Sequence, residues 1–98
     1  MNSDTKNKTE EKKKNKTISE FEAQLIVFND DHNTFEHVIR CFIEICKITF
    51  DKASQFALNI HVRGQETVKT GEFEEMRTMK DQLVDCGLSA VVQRGELN

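Results

Sequence analysis

The chain has 98 residues, of which 32% are charged and 37% are hydrophobic, and it contains no Trp, Tyr or Pro. This length supports one small domain, which excludes a catalytic cleft between two domains. The formal charge is −3, but residues 1–17 hold six lysines against three acidic residues, a charge of +3, so residues 18–98 carry −6. An acidic domain without Trp or Tyr does not suit a nucleic-acid surface, so no nucleic-acid partner is expected.

The amino-terminal region, residues 1–20, is predicted to be a disordered, Lys-rich tail. Residues 1–17 have almost no apolar side chains, so burial cannot offset the entropy of ordering them. Such a tail can touch an acidic surface or can serve only as a solubilising arm, and composition favours the second interpretation. The first 30 residues show no signal peptide, and no run approaches the roughly twenty apolar residues of a membrane span. We therefore expect a cytoplasmic protein without a membrane partner.

The folded domain is predicted over residues 21–94, with residues 95–98 as a short C-terminal tail. Glu22 to Phe28 ends in four consecutive apolar residues, which is typical of a largely buried strand. Asn33 is followed three residues later by Glu36, and the two are predicted to form a capping pair for a first helix. Apolar residues then recur at helical spacing and form one stripe: Phe35, Val38, Ile39, Phe42, Ile45 and Cys46.

A second helix is predicted after Thr49, which is placed to cap it, and Gly64 is placed to end it. One face of this helix is expected to carry Phe50, Ala53, Ala57 and Ile60. A short polar strand is predicted at residues 66–70. A third helix then begins at residues 72–75, whose three glutamates favour a helix N-terminus, and carries Phe73, Met76, Lys80 and Leu83 on one side.

Gly87 is predicted to end the third helix before a final strand at residues 88–92. The order of elements is strand, helix, helix, strand, helix, strand. This pattern predicts an α+β fold, a small open sandwich in which the helices pack on one face of a three-stranded sheet.

The turn Asn29-Asp30-Asp31, between the first strand and the first helix, is the most informative motif. Two adjacent carboxylates after an Asn concentrate hydrogen-bond acceptors where a cationic or amine ligand can dock. His61 is a single polar residue in an otherwise regular helical segment. Together with the turn, it indicates a small pocket for a positive group. The structural alternative is that Asn and Asp serve only as turn and cap residues, and that His61 is an ordinary helix residue.

Cys41, Cys46 and Cys86 make an odd count without the spacing of a disulfide framework. Cys41 and Cys46 are five residues apart on a helix, so they do not share the close face that a metal site requires. A small metal or thiol enzyme that uses both cysteines with His61 is the alternative from another class. Because no general base or oxyanion site is marked, we expect no catalysis, no metal and no cofactor.

These residues resemble the ClpS adaptors of the Clp ATP-dependent protease over about residues 22–93. The most specific part of the resemblance is the Asn29-Asp30-Asp31 turn after a hydrophobic strand. The other matching residues are Phe35-Glu36-His37-Val38, Lys52-Ala53, Ile60-His61, Gly64 and Lys80. The sequence departs from the family where Asn33-Thr34 replaces a Thr-Pro pair and Ser89 replaces a Pro.

The resemblance implies an adaptor that binds proteins with a bulky hydrophobic N-terminal residue, by the bacterial N-end rule, and delivers them to the Clp ATPase-protease. It implies that the terminal amine contacts Asn29, Asp30 and His61, with Asp31 and Asn33 as further contacts. The carboxylate, the amide oxygen and a neutral ring nitrogen can all accept hydrogen bonds from an amine. For Asp31, a helix-capping role is a sufficient alternative.

The resemblance also implies a hydrophobic pocket for the first side chain, lined by Phe35, Ala57, Ile60 and Ala90. Phe35 stands where a Met commonly guards this pocket, so it is either a gate or a residue of the core or its rim. Ala57 replaces a larger residue, and Ala90 lies about where a pocket Leu is expected. Ala57 and Ile60 also have an ordinary core interpretation.

The implied partners are the N-terminal domain of the Clp ATPase and substrate proteins with a destabilising N-terminal residue. Glu75 and Lys80 match positions that face the ATPase in this family, although a solvated helix face explains them equally well. The Lys-rich tail either engages the ATPase or is inert. We expect a monomer. An alternative function is a regulatory interaction module that keeps the ClpS-like fold without amine recognition.

Overall fold

The computed structural model describes residues 22–94 and contains three strands and three helices within that range. They follow one another as β1 (Glu22–Phe28), α1 (Phe35–Cys46), α2 (Phe50–Arg63), β2 (Gln65–Glu72), α3 (Phe73–Asp85) and β3 (Ser89–Arg94). The predicted order of elements and the α+β class are confirmed. The tails predicted at residues 1–20 and 95–98 lie outside the described residues.

The central strand, β1, is antiparallel to both of its neighbours, so the sheet has the order β2-β1-β3. Successive strand side chains point to opposite faces, and Ala23, Leu25 and Val27, all at most 2% exposed, belong to the main hydrophobic core. The helices supply the large side chains opposite them: Phe42, Cys46, Met76 and Leu83. None of these helices, within residues 22–94, is long and apolar enough to cross a membrane.

The helix ends follow the sequence signals in most cases. Thr49 accepts a hydrogen bond from the Lys52 N–H at 3.1 Å, and Gly64 ends α2 with a φ of 96°, as predicted. The predicted Asn33–Glu36 capping pair is wrong by one residue, because the N-cap of α1 is Thr34, which accepts from the His37 N–H. The Asn33 side chain is held by other partners, as described below.

Three further expectations need correction. β2 covers residues 65–72 and β3 covers residues 89–94, instead of 66–70 and 88–92. Glu72 is the N-cap of α3 and not a residue of its first turn, since its carboxylate accepts the Glu75 N–H at 3.1 Å. Phe50, which was predicted to share a face of α2 with Ala53, Ala57 and Ile60, is the first residue of that helix, is 62% exposed and borders a shallow groove on α1.

Candidate functional site

A cavity of about 220 Å³ lies where the end of β1, the turn before α1, the start of α1 and the last turns of α2 meet. Its walls combine acceptor groups with apolar side chains: Val27, Phe28, Asn29, Asp30, Asp31, Asn33, Phe35, Val38, Ala57, Ile60, His61 and Leu88. The structure therefore brings together eight of the nine residues that the sequence predicted for amine and side-chain binding. The ninth, Ala90, is not in the wall.

The turn after β1 is fixed to the end of α2 by its backbone. The Asn29 N–H donates to the Gly64 carbonyl oxygen at 2.9 Å. Because Gly64 follows the last residues of α2, this bond holds the Asn29 side of the cavity close to His61. The positive φ of Gly64 favours glycine at this position.

Asp30 organises the turn through one of its carboxylate oxygens. Its Oδ1 accepts from the His32 N–H at 2.9 Å, from the Asn33 N–H at 3.2 Å and from Asn33 Nδ2 at 3.1 Å. Within residues 22–94, its Oδ2 accepts only from Asn33 Nδ2, also at 3.1 Å. An oxygen that can accept two or more hydrogen bonds therefore keeps capacity for a ligand.

The electrostatics of Asp30 favour its charged form. Burial raises the pKa of the Asp30 carboxyl. Hydrogen bonds from His32 and Asn33, together with the nearby His32 side chain, lower this pKa by more than burial raises it, so the net pKa lies below its usual value. Asp30 is thus a carboxylate at neutral pH, as an acceptor for a cationic amine must be.

The Asn33 side chain joins two turns. Its Nδ2 donates to both oxygens of Asp30 and to the Gly87 carbonyl oxygen, at 2.9 Å. Since an amide nitrogen has only two hydrogens, these contacts occupy its donors. Asn33 therefore lines the cavity but can offer a ligand only its Oδ1.

Phe35 and His61 form the aromatic part of the rim. Their ring centroids are 5.8 Å apart with planes at 77°, an edge-to-face contact. Phe35 is 49% exposed, so of the two predicted positions, core or rim, the structure shows the rim. The first residue of α1 thus stands beside the imidazole that was predicted to accept from the amine.

Leu88, and not Ala90 as the resemblance implied, lies in the cavity wall. Ala90 pairs with Val27 across the sheet and is buried in the main core. The last strand begins at Ser89, so Leu88 belongs to the turn before it and reaches the cavity. Leu88 stands two residues before Ala90 in the sequence. A shift of two residues in its alignment to the ClpS pattern would have identified it. Val38, one turn after Phe35, was likewise identifiable by its spacing.

Glu75 and Lys80 lie on α3, away from the cavity wall. Lys80 Nζ is 2.7 Å from Asp81 Oδ1, and both side chains remain partly or largely open to solvent. The structure therefore separates the predicted ATPase-facing residues from the predicted amine site.

Cys41 and Cys46 are buried free thiols. Burial, with a smaller contribution from the adjacent Cys86 thiol, raises the pKa of Cys41 to about 12. Burial also raises the pKa of Cys46 to about 11, slightly offset by Lys69. Both thiols are therefore protonated at neutral pH and are poor nucleophiles, and neither lines the cavity with His61. No group of three or more His, Cys, Asp or Glu side chains within residues 22–94 is arranged to hold a metal ion.

Comparison with known families gives a match over residues 19–90 to the family described as ATP-dependent Clp protease adaptor protein ClpS. The chain belongs to the ClpS family. This confirms the resemblance inferred from the turn after β1 and the second helix. The ClpS family is a family of adaptors of the Clp protease system.

Relatives of known identity agree with this assignment. The ClpS adapter protein of Thermosynechococcus vestitus is 37% identical over 67 residues, which are 67% of this chain and 71% of that protein. The ClpS adapter protein of a Nostoc species is also 37% identical over 67 residues, covering 67% of this chain and 69% of that protein.

A solved structure supports the fold. The structure of Agrobacterium tumefaciens ClpS2 bound to L-phenylalaninamide superimposes with a TM-score of 0.73 at 17% identity, covering 76% of this chain and 98% of that chain. At this level of identity, the comparison confirms the ClpS-like fold.

Proposed function

We propose that this ClpS family member binds proteins that begin with a bulky hydrophobic residue and delivers them to the Clp ATPase-protease. The observation that carries the proposal is the cavity at the end of β1, where acceptor groups and an apolar wall share one space of about 220 Å³. A free N-terminal residue has the same two parts, an amine with several N–H donors and an apolar side chain.

The acceptors suit an amine. Asp30 supplies a carboxylate with spare capacity at Oδ2, Asn29 an amide oxygen and His61 a ring nitrogen, all in one cavity wall. An α-amino group is largely protonated near neutral pH, so its hydrogen bonds to a carboxylate are charge-assisted. An acetylated terminus has lost the charge and most of these donors, and it would leave the acceptors unsatisfied.

The apolar part of the wall suits a large side chain. Phe35 and Val38 come from α1, Ala57 and Ile60 from α2, and Leu88 from the turn before β3. L-phenylalaninamide, the compound bound to Agrobacterium tumefaciens ClpS2, has a free amine and a bulky apolar side chain, which supports the same ligand chemistry here. Asp31 and Asn33, also in the wall, are further candidate contacts for the bound terminus.

The proposed protein partner is the N-terminal domain of the Clp ATPase, with Glu75 and Lys80 of α3 in its interface. Their position outside the cavity lets the adaptor hold substrate and ATPase at the same time. In this proposal the chain itself catalyses nothing, and proteolysis belongs to the partner.

Titration with peptides that differ only in their first residue and its acetylation tests this function. We expect a Phe-initiated peptide to bind at least tenfold more tightly than its acetylated form. His61→Ala should weaken binding of the free peptide by about 1.5–3 kcal/mol, the usual cost of losing a hydrogen bond to a charged group. His32→Ala is the matched control, because that exposed side chain lies outside the cavity wall.

Equal affinity for free and acetylated peptides would contradict the proposal. It would favour the alternative that the fold serves as a regulatory interaction module without amine recognition.

A further inference from the structure

The Asn33 amide is the only described side chain that bonds both to the acceptor turn after β1 and to the turn that carries Leu88. Its Nδ2 lies 3.1 Å from each oxygen of Asp30 and 2.9 Å from the Gly87 carbonyl oxygen. The two turns are far apart in the sequence, since Asn33 and Gly87 are separated by 54 positions. One amide group therefore links the two sides of the cavity.

Both ends of this link sit next to residues of the proposed binding site. On one side is Asp30, whose carboxylate is charged at neutral pH. On the other side is Gly87, which has a φ of 95° and directly precedes Leu88, an apolar wall residue. A Cβ at Gly87 would lie 3.7 Å from Asn33 Oδ1, an ordinary contact, so backbone conformation and not space favours glycine there.

We propose that Asn33 is a positioning residue that couples amine recognition at Asp30 to side-chain selection at Leu88. It orients the Asp30 carboxylate and fixes the backbone of the Leu88 turn through the same two hydrogens. This inference rests on the proposed function and adds a residue that makes the two halves of the cavity act together.

The chemistry of the amide makes Asn suitable for this role. A planar NH₂ group can donate in two directions, whereas a Thr hydroxyl at the same position has one hydrogen for two acceptors. An Asp at position 33 would bring a second carboxylate, which only accepts hydrogen bonds, against the Asp30 carboxylate and the Gly87 carbonyl oxygen. Without the amide, Asp30 loses a hydrogen bond that lowers its pKa, and the Gly87 carbonyl oxygen loses its hydrogen bond to the turn before α1. The contact of His37 in α1 with the Cys86 carbonyl oxygen, at 2.8 Å, does not depend on Asn33.

The first test needs no ligand. The pKa of Asp30 is measured by NMR titration of its side-chain carbon in the wild type, in Asn33→Ala and in Asn59→Ala. Asn59 is the matched control, since its amide also bonds to a carboxylate, Glu66 Oε1 at 3.0 Å, but lies outside the cavity wall. We expect the pKa of Asp30 to rise in Asn33→Ala and to stay at the wild-type value in Asn59→Ala.

The second test is a double-mutant cycle on the affinity for a Phe-initiated peptide. If Asn33 positions Leu88, the affinity loss from Leu88→Ala should shrink by threefold or more when Asn33 is already Ala. In the Asn59→Ala background, the loss from Leu88→Ala should match the wild-type loss within about twofold. Should Asn33→Ala fail to fold, Asn33→Thr gives the same readouts with smaller changes.

An unchanged pKa of Asp30 in Asn33→Ala would overturn the coupling. So would a cycle in which the losses of binding free energy from Asn33→Ala and Leu88→Ala simply add. A wild type that binds free and acetylated peptides equally would contradict the proposed function instead. The pKa measurement would still decide whether Asn33 orients Asp30.

Discussion

Asp30 divides its two oxygens between the turn and the cavity. Oδ1 takes three hydrogen bonds that shape the turn, whereas Oδ2 takes one from within residues 22–94. The structural interpretation of Asp30 as a turn residue and its proposed role as an amine acceptor therefore apply to different atoms. The turn role of Asp30 therefore does not conflict with its proposed role as an acceptor.

The lowered pKa of Asp30 predicts how stability depends on pH. Because this pKa is lower in the folded state, the folded protein binds fewer protons than the unfolded chain in the acid range, so its stability rises with pH there. The contribution is complete above the ordinary Asp pKa of about 4 and is lost as pH falls through the lowered value.

We expect Asp30→Asn to flatten the acid side of the curve of unfolding free energy against pH, measured by urea denaturation between about pH 2 and pH 6. Asp31→Asn is the control, because the Asp31 carboxylate is exposed and accepts no side-chain hydrogen bond within residues 22–94. An identical slope for the wild type and Asp30→Asn would show that the hydrogen bonds do not stabilise the charged form.

The sequence identified the polar side of the candidate site better than its apolar side. Asn29, Asp30 and His61 stand out because polar residues at the end of a buried strand or on a regular helix break a pattern. Leu88 was missed in favour of Ala90, because an apolar residue near a strand start fits the core and the cavity equally well. The choice depends on where the strand begins, and the predicted start at residue 88 is one residue earlier than the observed start at Ser89.

At the level of elements, the rim depends on where α1 begins. Thr34 caps the helix, so Phe35 is its first residue and projects beside His61 at the end of α2. With a cap at Asn33, as the capping-box pattern predicted, α1 would begin at Thr34, and Phe35 would be its second residue instead of its first. The Asn33 side chain instead donates to Asp30 and to the Gly87 carbonyl oxygen, and the second of these contacts is long-range and not visible in a local pattern.

Phe35 should act as a gate for the cavity. A stiff ring at the rim is expected to exclude first residues that are branched at Cβ, so the wild type should prefer Phe and Leu over Ile and Val. A methylene in such a pocket is worth about 1–3 kcal/mol, which sets the scale of the preference. In Phe35→Ala, competition among peptides that begin with Phe, Leu, Ile or Val should show increased binding of Ile and Val.

Phe50→Ala provides the matched control for the gate. Phe50 is also the first residue of a helix and is also exposed, but it lies outside the cavity wall. Its replacement should leave the order of peptides unchanged. A wild-type order that persists in Phe35→Ala would leave Phe35 as a rim residue without a selective role.

At the scale of the whole molecule, one open sandwich presents two separate surfaces. The helices cover one face of the sheet, and the cavity lies at the end of β1, while α3 carries Glu75 and Lys80 outside its wall. The element order and the helix periods were enough to predict this architecture, because β1 and the helices carry clear apolar stripes or runs, although β2 is mostly polar. The geometry between the two surfaces was not predictable, since it depends on the packing of α3 against all three strands.

This separation predicts that substrate binding and delivery can be uncoupled by mutation. Glu75 is exposed in the first turn of α3, so Glu75→Lys should cost about 1 kcal/mol of stability or less, through the helix dipole. We expect it to reduce degradation of a Phe-initiated reporter by the reconstituted Clp ATPase-protease several-fold, while affinity for a Phe-initiated peptide stays within twofold.

Glu44→Lys, the same charge change at an exposed residue of α1, should preserve both degradation and peptide affinity. Degradation at the wild-type rate with Glu75→Lys would exclude this residue from the ATPase interface, and an equal loss of peptide affinity would show that the two surfaces are not independent.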